Sequence, residues 1–143
     1  MYEYEMNIFI NRSPQDVFNF VSNPNNFVQW QNRVEFGEWT TNGSPGVGST
    51  FRNINSFLGR KIEAKHKITG WNPPIQYSFK SIGSIQGGIT RKFQPQADGT
   101  LLIETGQLEI GGIFKLLEGL LGKQIEKSHK TSLPALKLVL ESD

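Results

Sequence analysis

Few residues in this chain have side chains suited to chemistry, and their types narrow the choice. There are no cysteines, which excludes a thiolate nucleophile, a disulfide scaffold and a cysteine zinc site. The two histidines are His66 and His129. His66 alternates with Ala64 and Ile68, away from Lys61, Glu63, Lys65 and Lys67, so period two turns it toward the apolar side. There an imidazole, which titrates near neutral pH, would act as a general acid or base, or would bond a bound molecule. A core histidine held by a backbone carbonyl fits the same pattern. His129 sits between Lys127 and Lys130 and is expected to be solvated. Arg91 is in phase with Ile89 and Phe93, and an inward guanidinium requires a carboxylate or an anionic ligand. Glu104 is the candidate partner. It shares parity with Leu102, Leu108 and Ile110, but Leu101 and Ile103 claim the other face, and a bulge near Gly106 would switch the register. Tyr77 and Phe79 share a face, as do Asn53 and Asn55 with Phe51. The catalytic candidates are therefore His66, with Arg91 or Tyr77 polarising a carbonyl.

Other chemistries lack their signatures. No P-loop, dinucleotide fingerprint or nucleophile elbow is present. The segment Gly83-Ser84-Ile85-Gln86-Gly87-Gly88 is glycine-rich but lies between strands instead of opening a helix. The lysine face at 61, 65 and 67 has no interleaved aromatics, so nucleic acid is not an expected partner. With 15 basic and 13 acidic residues the net charge is +2, too small to argue for one. No metal and no organic cofactor are expected. The N-terminus is acidic and alternating, unlike a secretory signal, and no run approaches the ~18 apolar residues of a membrane span. The expectation is a cytoplasmic protein without stable membrane insertion.

These residues need elements to hold them. At 143 residues and 36% hydrophobic content, the chain suits one domain, 1–143. Residues 2–12 alternate as a strand, with Tyr4, Met6, Ile8 and Ile10 on one face. Ser13-Pro14-Gln15-Asp16 is a helix start, with an N-cap, a proline at the first position and an acid at the dipole. Asn23-Pro24 stops that helix, and a second short one reaches Trp30, with Phe27, Val28 and Trp30 turned inward. From 33 to 110 the pattern is strands broken by turns, including Asn42–Gly46, Leu58-Gly59, Asn72-Pro73-Pro74 and Asp98-Gly99. Consecutive strands with short turns form an antiparallel meander. From Gly111 the chain reads as helix, with Ile113, Leu116, Leu117, Leu120 and Leu121 on one stripe and a break or kink expected near Lys130–Pro134.

The order is strand, two short helices, six strands and a long helix. A half-polar antiparallel sheet must cover its apolar face, and the C-terminal helix is the element long enough to do so. The fold class is therefore α+β: a curved antiparallel sheet of about seven strands around a long C-terminal helix. This arrangement resembles the helix-grip fold of the START and birch-pollen-allergen superfamily (SRPBCC), in its polyketide cyclase/dehydrase-like branch. The resemblance covers essentially the whole chain. It rests on Ser13–Phe18, Asn23-Pro24 with Trp30, Gly46-Val47-Gly48, Pro73-Pro74 and Asp98-Gly99-Thr100 in that order.

The resemblance implies a cavity between sheet and helix. Members of the superfamily bind lipids, sterols or polyketides there; some are cyclases or dehydratases, and others bind protein partners. The implied wall comprises Phe18, Phe27, Trp30, Phe36, Phe51, Phe79 and Phe93, with Ile113, Leu117 and Leu121 on the helix side. Asn53, Asn55, His66, Tyr77, Arg91 and Glu104 would be its polar set. The leading expectation is a binder or carrier of a small apolar molecule. The alternatives are a cyclase or dehydratase using His66, and a partner-binding module. Ligand identity and oligomeric state are left open by the sequence.

Overall fold

A computed structural model of the protein describes residues 1–83 and 85–142, and of Phe57 and Ile113 it describes the backbone alone. The expected turn residue Ser84 and the side chain of Ile113 thus lie outside the described residues. Strand β1 (Tyr2–Ile10) is followed by α1 (Pro14–Val21), a 3-10 turn at Pro24–Asn26, and α2 (Phe27–Trp30). Six strands follow: β2 (Val34–Trp39), β3 (Thr50–Phe57), β4 (Arg60–Asn72), β5 (Gln76–Ile82), β6 (Gln86–Gln96) and β7 (Gly99–Glu109). A 3-10 segment at Gly112–Leu117 leads into α3 (Glu118–Glu141). This is the helix-grip fold.

The caps form as their residue types dictate. The Asp16 N–H donates to Ser13 Oγ at 3.2 Å, and the Asn25 N–H donates to Asn23 Oδ1 at 3.0 Å. The strands make one curved antiparallel sheet in the order β1-β7-β6-β5-β4-β3-β2, so the first strand zips onto the last. The β6–β7 register runs from Gln86↔Glu109 to Gln96↔Gly99 without a bulge. That resolves the parity of β7: Leu102, Glu104, Gly106 and Leu108 face the core. Phe18 anchors the core, meeting Trp71, Tyr77 and Phe93 edge-on at centroid distances of 5.2, 5.6 and 5.0 Å.

Helix α3 departs from the expectation in two ways. It is continuous through Pro134. Proline removes the N–H that would bond the Lys130 carbonyl, but both residues are on the solvent side, where water can take that carbonyl. Its inward stripe is also different. Gly122, Ile125, His129, Leu133, Leu136 and Leu140 recur at helical spacing toward the sheet, whereas Leu116, Leu117 and Leu120 are exposed. The 3.6-residue period was extended through Gly112–Leu117, but that segment is 3-10, with 3.0 residues per turn, and the stripe loses phase there. Val28 likewise points outward from the four-residue α2.

The helix closes on the sheet at Gly122. A Cβ there would fall inside the ring of Tyr2 on β1, whereas a Cβ at Gly119, one turn earlier, would meet nothing. Alanine should therefore act oppositely at the two sites. Gly119→Ala should gain about 0.5–1 kcal/mol from helix propensity. Gly122→Ala should lose about 1–3 kcal/mol, because overpacking against Tyr2 outweighs that gain. Urea midpoints of the two variants against the parent check the sign of each.

Candidate functional site

Strands β6 and β7 bury an ion pair at the centre of the sheet's inner face. Arg91 and Glu104 are cross-strand partners, each about 1% exposed, and Arg91 Nε donates to Glu104 Oε1 at 2.7 Å. Arg91 Nη1 donates to Tyr77 Oη at 2.7 Å, and the Tyr77 hydroxyl donates to the Val21 carbonyl at the end of α1 (3.3 Å). The guanidinium also lies over the rings of Trp30 and Phe79, 5.2 and 5.5 Å from their centroids. Burial disfavours the charge on Arg91, but Tyr77 and Glu104 outweigh it and its pKa is raised. Burial would raise the pKa of Glu104, but the charges of Arg91 and His129 and their hydrogen bonds hold it well below the usual carboxylate range. Both groups are therefore charged at neutral pH.

The second oxygen of Glu104 reaches two further elements. It accepts from the Tyr4 hydroxyl on β1 at 3.0 Å and lies 2.8 Å from Nδ1 of His129 on α3. Burial, then the charge of Glu104, raises the Tyr4 pKa far beyond its ordinary value, so the phenol stays protonated and donates. One carboxylate thus ties β1, β6, β7 and α3 together.

Beside this network is a cavity of about 250 Å³ between the sheet and α3. Phe27, Phe51, Phe79, Ala64, Ile89, Leu108 and Ile125 give it an apolar lining. Asn53, Asn55, His66, Ser81, Arg91, Gln107, His129, Tyr2, Tyr4 and Gln31 add polar groups. His66 is clasped between Phe51 and Phe79, with ring centroids 4.9 and 5.2 Å away. Its Nε2–H donates to Asn53 Oδ1 at 3.1 Å, and Asn53 Nδ2 donates to Asn55 Oδ1 at 2.6 Å. Burial, with Arg91 and His129 nearby, pushes its pKa down to about 4, so the ring is neutral at pH 7. Its Nδ1 is left as an acceptor, and Arg91 Nη2 as a donor; neither is hydrogen-bonded by any described residue.

Of the expected wall, Phe27, Phe51, Asn53, Asn55, His66, Phe79 and Arg91 line the cavity. Phe18, Trp30, Tyr77, Phe93 and Glu104 are buried behind it and hold the liners in place. Phe36 lies on the outer face, 42% exposed beneath the Arg52 guanidinium. The register shift between Val34 and Phe36 turns it outward; a regular strand would have kept it on the side of Val34. Leu117 is 51% exposed, and with Leu121 it lines a separate open groove near Phe114, Leu58 and Ile85. The loss of helical phase before Glu118 accounts for both.

The residue that the pattern misplaced is His129. It lies four residues before Leu133 and seven before Leu136, which puts it on the inner stripe; the flanking Lys127 and Lys130 masked that signal. No group of three or more His, Asp or Glu among the described residues is placed to hold a metal ion. None of the described helices is long and apolar enough to cross a membrane.

Residues 1–141 match the family model described as polyketide cyclase / dehydrase and lipid transport. The chain belongs to that family. No curated protein matches the sequence. Among solved structures it is similar to TTHA0849 from Thermus thermophilus (21% identity, TM-score 0.80, covering 99% of this chain and 100% of that one). It is similar to Ara h 8.0201 at 13% identity and TM-score 0.79, with 99% of each chain covered. It also resembles the di-domain ARO/CYC protein BexL of the BE-7585A biosynthetic pathway, at 14% identity and TM-score 0.76, covering 99% of this chain and 50% of that one. At these identities the likeness concerns the fold.

The buried imidazole makes stability depend on pH. Unfolded His66 would take up a proton near pH 6.5, folded His66 only near 4, so between those values the unfolded chain binds more protons. Stability should therefore fall as pH drops through that window. At pH 5 the contribution of His66 should have fallen by about 2 kcal/mol relative to neutral pH. In His66→Gln that part of the loss should vanish, although Glu104 still destabilises the fold in stronger acid. Urea unfolding of both proteins at pH 7 and pH 5 tests this.

Proposed function

We propose that the protein binds a small, largely apolar molecule in this cavity and fixes one oxygen of that molecule on Arg91. The observation that carries the reading is that Arg91, a fully buried guanidinium whose Nη2 is unpaired, is among the residues lining a cavity that mixes apolar and polar side chains. A buried N–H without an acceptor is costly, and a carbonyl, enol or hydroxyl oxygen of a ligand would satisfy it. Glu104 already neutralises the guanidinium, so a neutral oxygen suits the site better than a second carboxylate. His66 lines the same cavity and has an unpaired acceptor at Nδ1, which favours a ligand that also carries a hydroxyl or N–H. The volume of about 250 Å³ suits a compact ring system or short chain, at the low end for small-molecule sites.

Membership of a family described by both cyclisation or dehydration and lipid transport supports the small-molecule reading and leaves binding and turnover as its two forms. His66 is better suited here to receiving a hydrogen bond than to acid catalysis, since it holds no proton on its unbonded nitrogen at pH 7. Partner binding is the weaker reading: the exposed groove at Phe114, Leu117 and Leu120 has no feature that selects a protein partner.

Native mass spectrometry of gently purified protein tests the reading, with Ala64→Leu as the control. Ala64 is half-buried on the cavity wall, so leucine fills space without touching the Arg91 network. A reproducible adduct on the parent, reduced at least about tenfold in Ala64→Leu, is expected; a loss of about 1.4 kcal/mol gives that factor. An adduct retained by Ala64→Leu would place the ligand elsewhere.

A further inference from the structure

The approach to α3 leaves apolar side chains in water that the fold does not use. Leu116 is 94% exposed, and Phe114, Leu117 and Leu120 are exposed beside it. Phe114, Leu117 and Leu120 share one open groove with two hairpin tips, Leu58 between β3 and β4 and Ile85 between β5 and β6. No described residue lines both this groove and the cavity between sheet and helix.

Leu58 is the most telling of these residues. It and Gly59 are the two central residues of the β3–β4 turn, with φ of 50° and 77°. A turn with two positive φ values favours Asn-Gly, and it costs a leucine energy that an asparagine would be spared. The Leu58 side chain is 86% exposed, so packing does not offset that cost. A residue that breaks a local rule without a gain in packing points to a role outside the fold.

The charges around the patch identify its partner. Arg33 lines the groove, Arg60 follows the Leu58-Gly59 tip, and Lys115 and Lys123 bracket the exposed leucines. Arg60, Lys115 and Lys123 are all exposed. The one acid between residues 111 and 124, Glu118, is buried and accepts from the Ile110 N–H at 2.9 Å. The exposed acids nearby in sequence are Glu35, whose carboxylate is 3.8 Å from Lys61 Nζ, and Glu109. Apolar tips set among a surplus of cations match a surface that is anionic outside and apolar beneath.

We propose that this end of the molecule docks on an anionic phospholipid bilayer. Leu58, Phe114 and Leu116 enter the headgroup layer, and the surrounding lysines and arginines meet the lipid phosphates and carboxylates. The protein lies on the membrane and does not cross it. A protein partner fits less well, because the apolar residues stand on a turn, a loop and a 3-10 segment instead of one continuous ridge. This docking is independent of what the cavity holds.

Co-sedimentation tests it, with vesicles of phosphatidylcholine alone and of phosphatidylcholine mixed with phosphatidylserine. The parent should pellet with the anionic vesicles, much less with the neutral ones, and less as salt is raised. Leu58→Asn combined with Leu116→Gln should bind about tenfold more weakly or worse. Leu58→Asn alone should keep or raise the urea midpoint, since asparagine suits the turn, and this separates docking from folding. Lys115→Gln and Lys123→Gln should each weaken binding to anionic vesicles about fivefold and leave the neutral ones little changed. A parent that stays in the supernatant with anionic vesicles overturns the proposal, as does full binding by the Leu58/Leu116 variant. If the parent instead self-associates in sedimentation velocity and that variant does not, the face joins two copies of the chain and the membrane proposal falls.

Discussion

The structure is organised around one buried carboxylate. Glu104 brings together a guanidinium from the neighbouring strand, a phenol from the edge strand and an imidazole from the long helix. Desolvating a charge is costly, and here three donors share the two oxygens of Glu104, which makes its burial tolerable. Loss of one member of the ion pair would leave the other buried alone, typically costing about 3–5 kcal/mol. A hydrophobic pair would hold β6 to β7 as well or better, so stability does not explain the network. What the network provides is orientation: it holds Arg91 and His129 in fixed positions beside the same cavity.

That arrangement depends on register. Tyr4, Arg91 and Glu104 reach one another only because β1, β7 and β6 pair without a bulge across that stretch. A slip of one residue would send all three to solvent. The aromatic core beneath them, from Phe18 to Tyr77, fixes the strands against α1 and limits such slippage. On the other side, Gly122 lets α3 approach close enough to Tyr2 for His129, two turns later, to reach Glu104.

Much of this was legible in the sequence. Period-two alternation on β4 and β6 set the inward faces of His66 and Arg91, and turn chemistry marked the strand ends. The pairing of Arg91 with Glu104 followed from the need of an inward charge for a partner, although the mixed apolar pattern of β7 left its register open. Three features were not legible for local reasons. The bulge that turns Phe36 outward leaves no mark in the composition of Val34–Trp39. The 3-10 geometry of Gly112–Leu117 cannot be separated from α-helix by apolar spacing over so short a run. His129 was hidden by the lysines flanking it, although its spacing to Leu133 and Leu136 places it inward.

The central claim is that Arg91 Nη2 exists to hold a ligand oxygen inside the cavity. A crystal structure of the protein with its co-purifying molecule, or with 2-tetralone, tests it most directly. The account predicts a ligand oxygen at about 2.9 Å from Nη2, within the plane of the guanidinium, with the Arg91–Glu104–His129 contacts unchanged. A ligand seated in the outer groove by Leu117, or one whose apolar end faces Arg91, would contradict it.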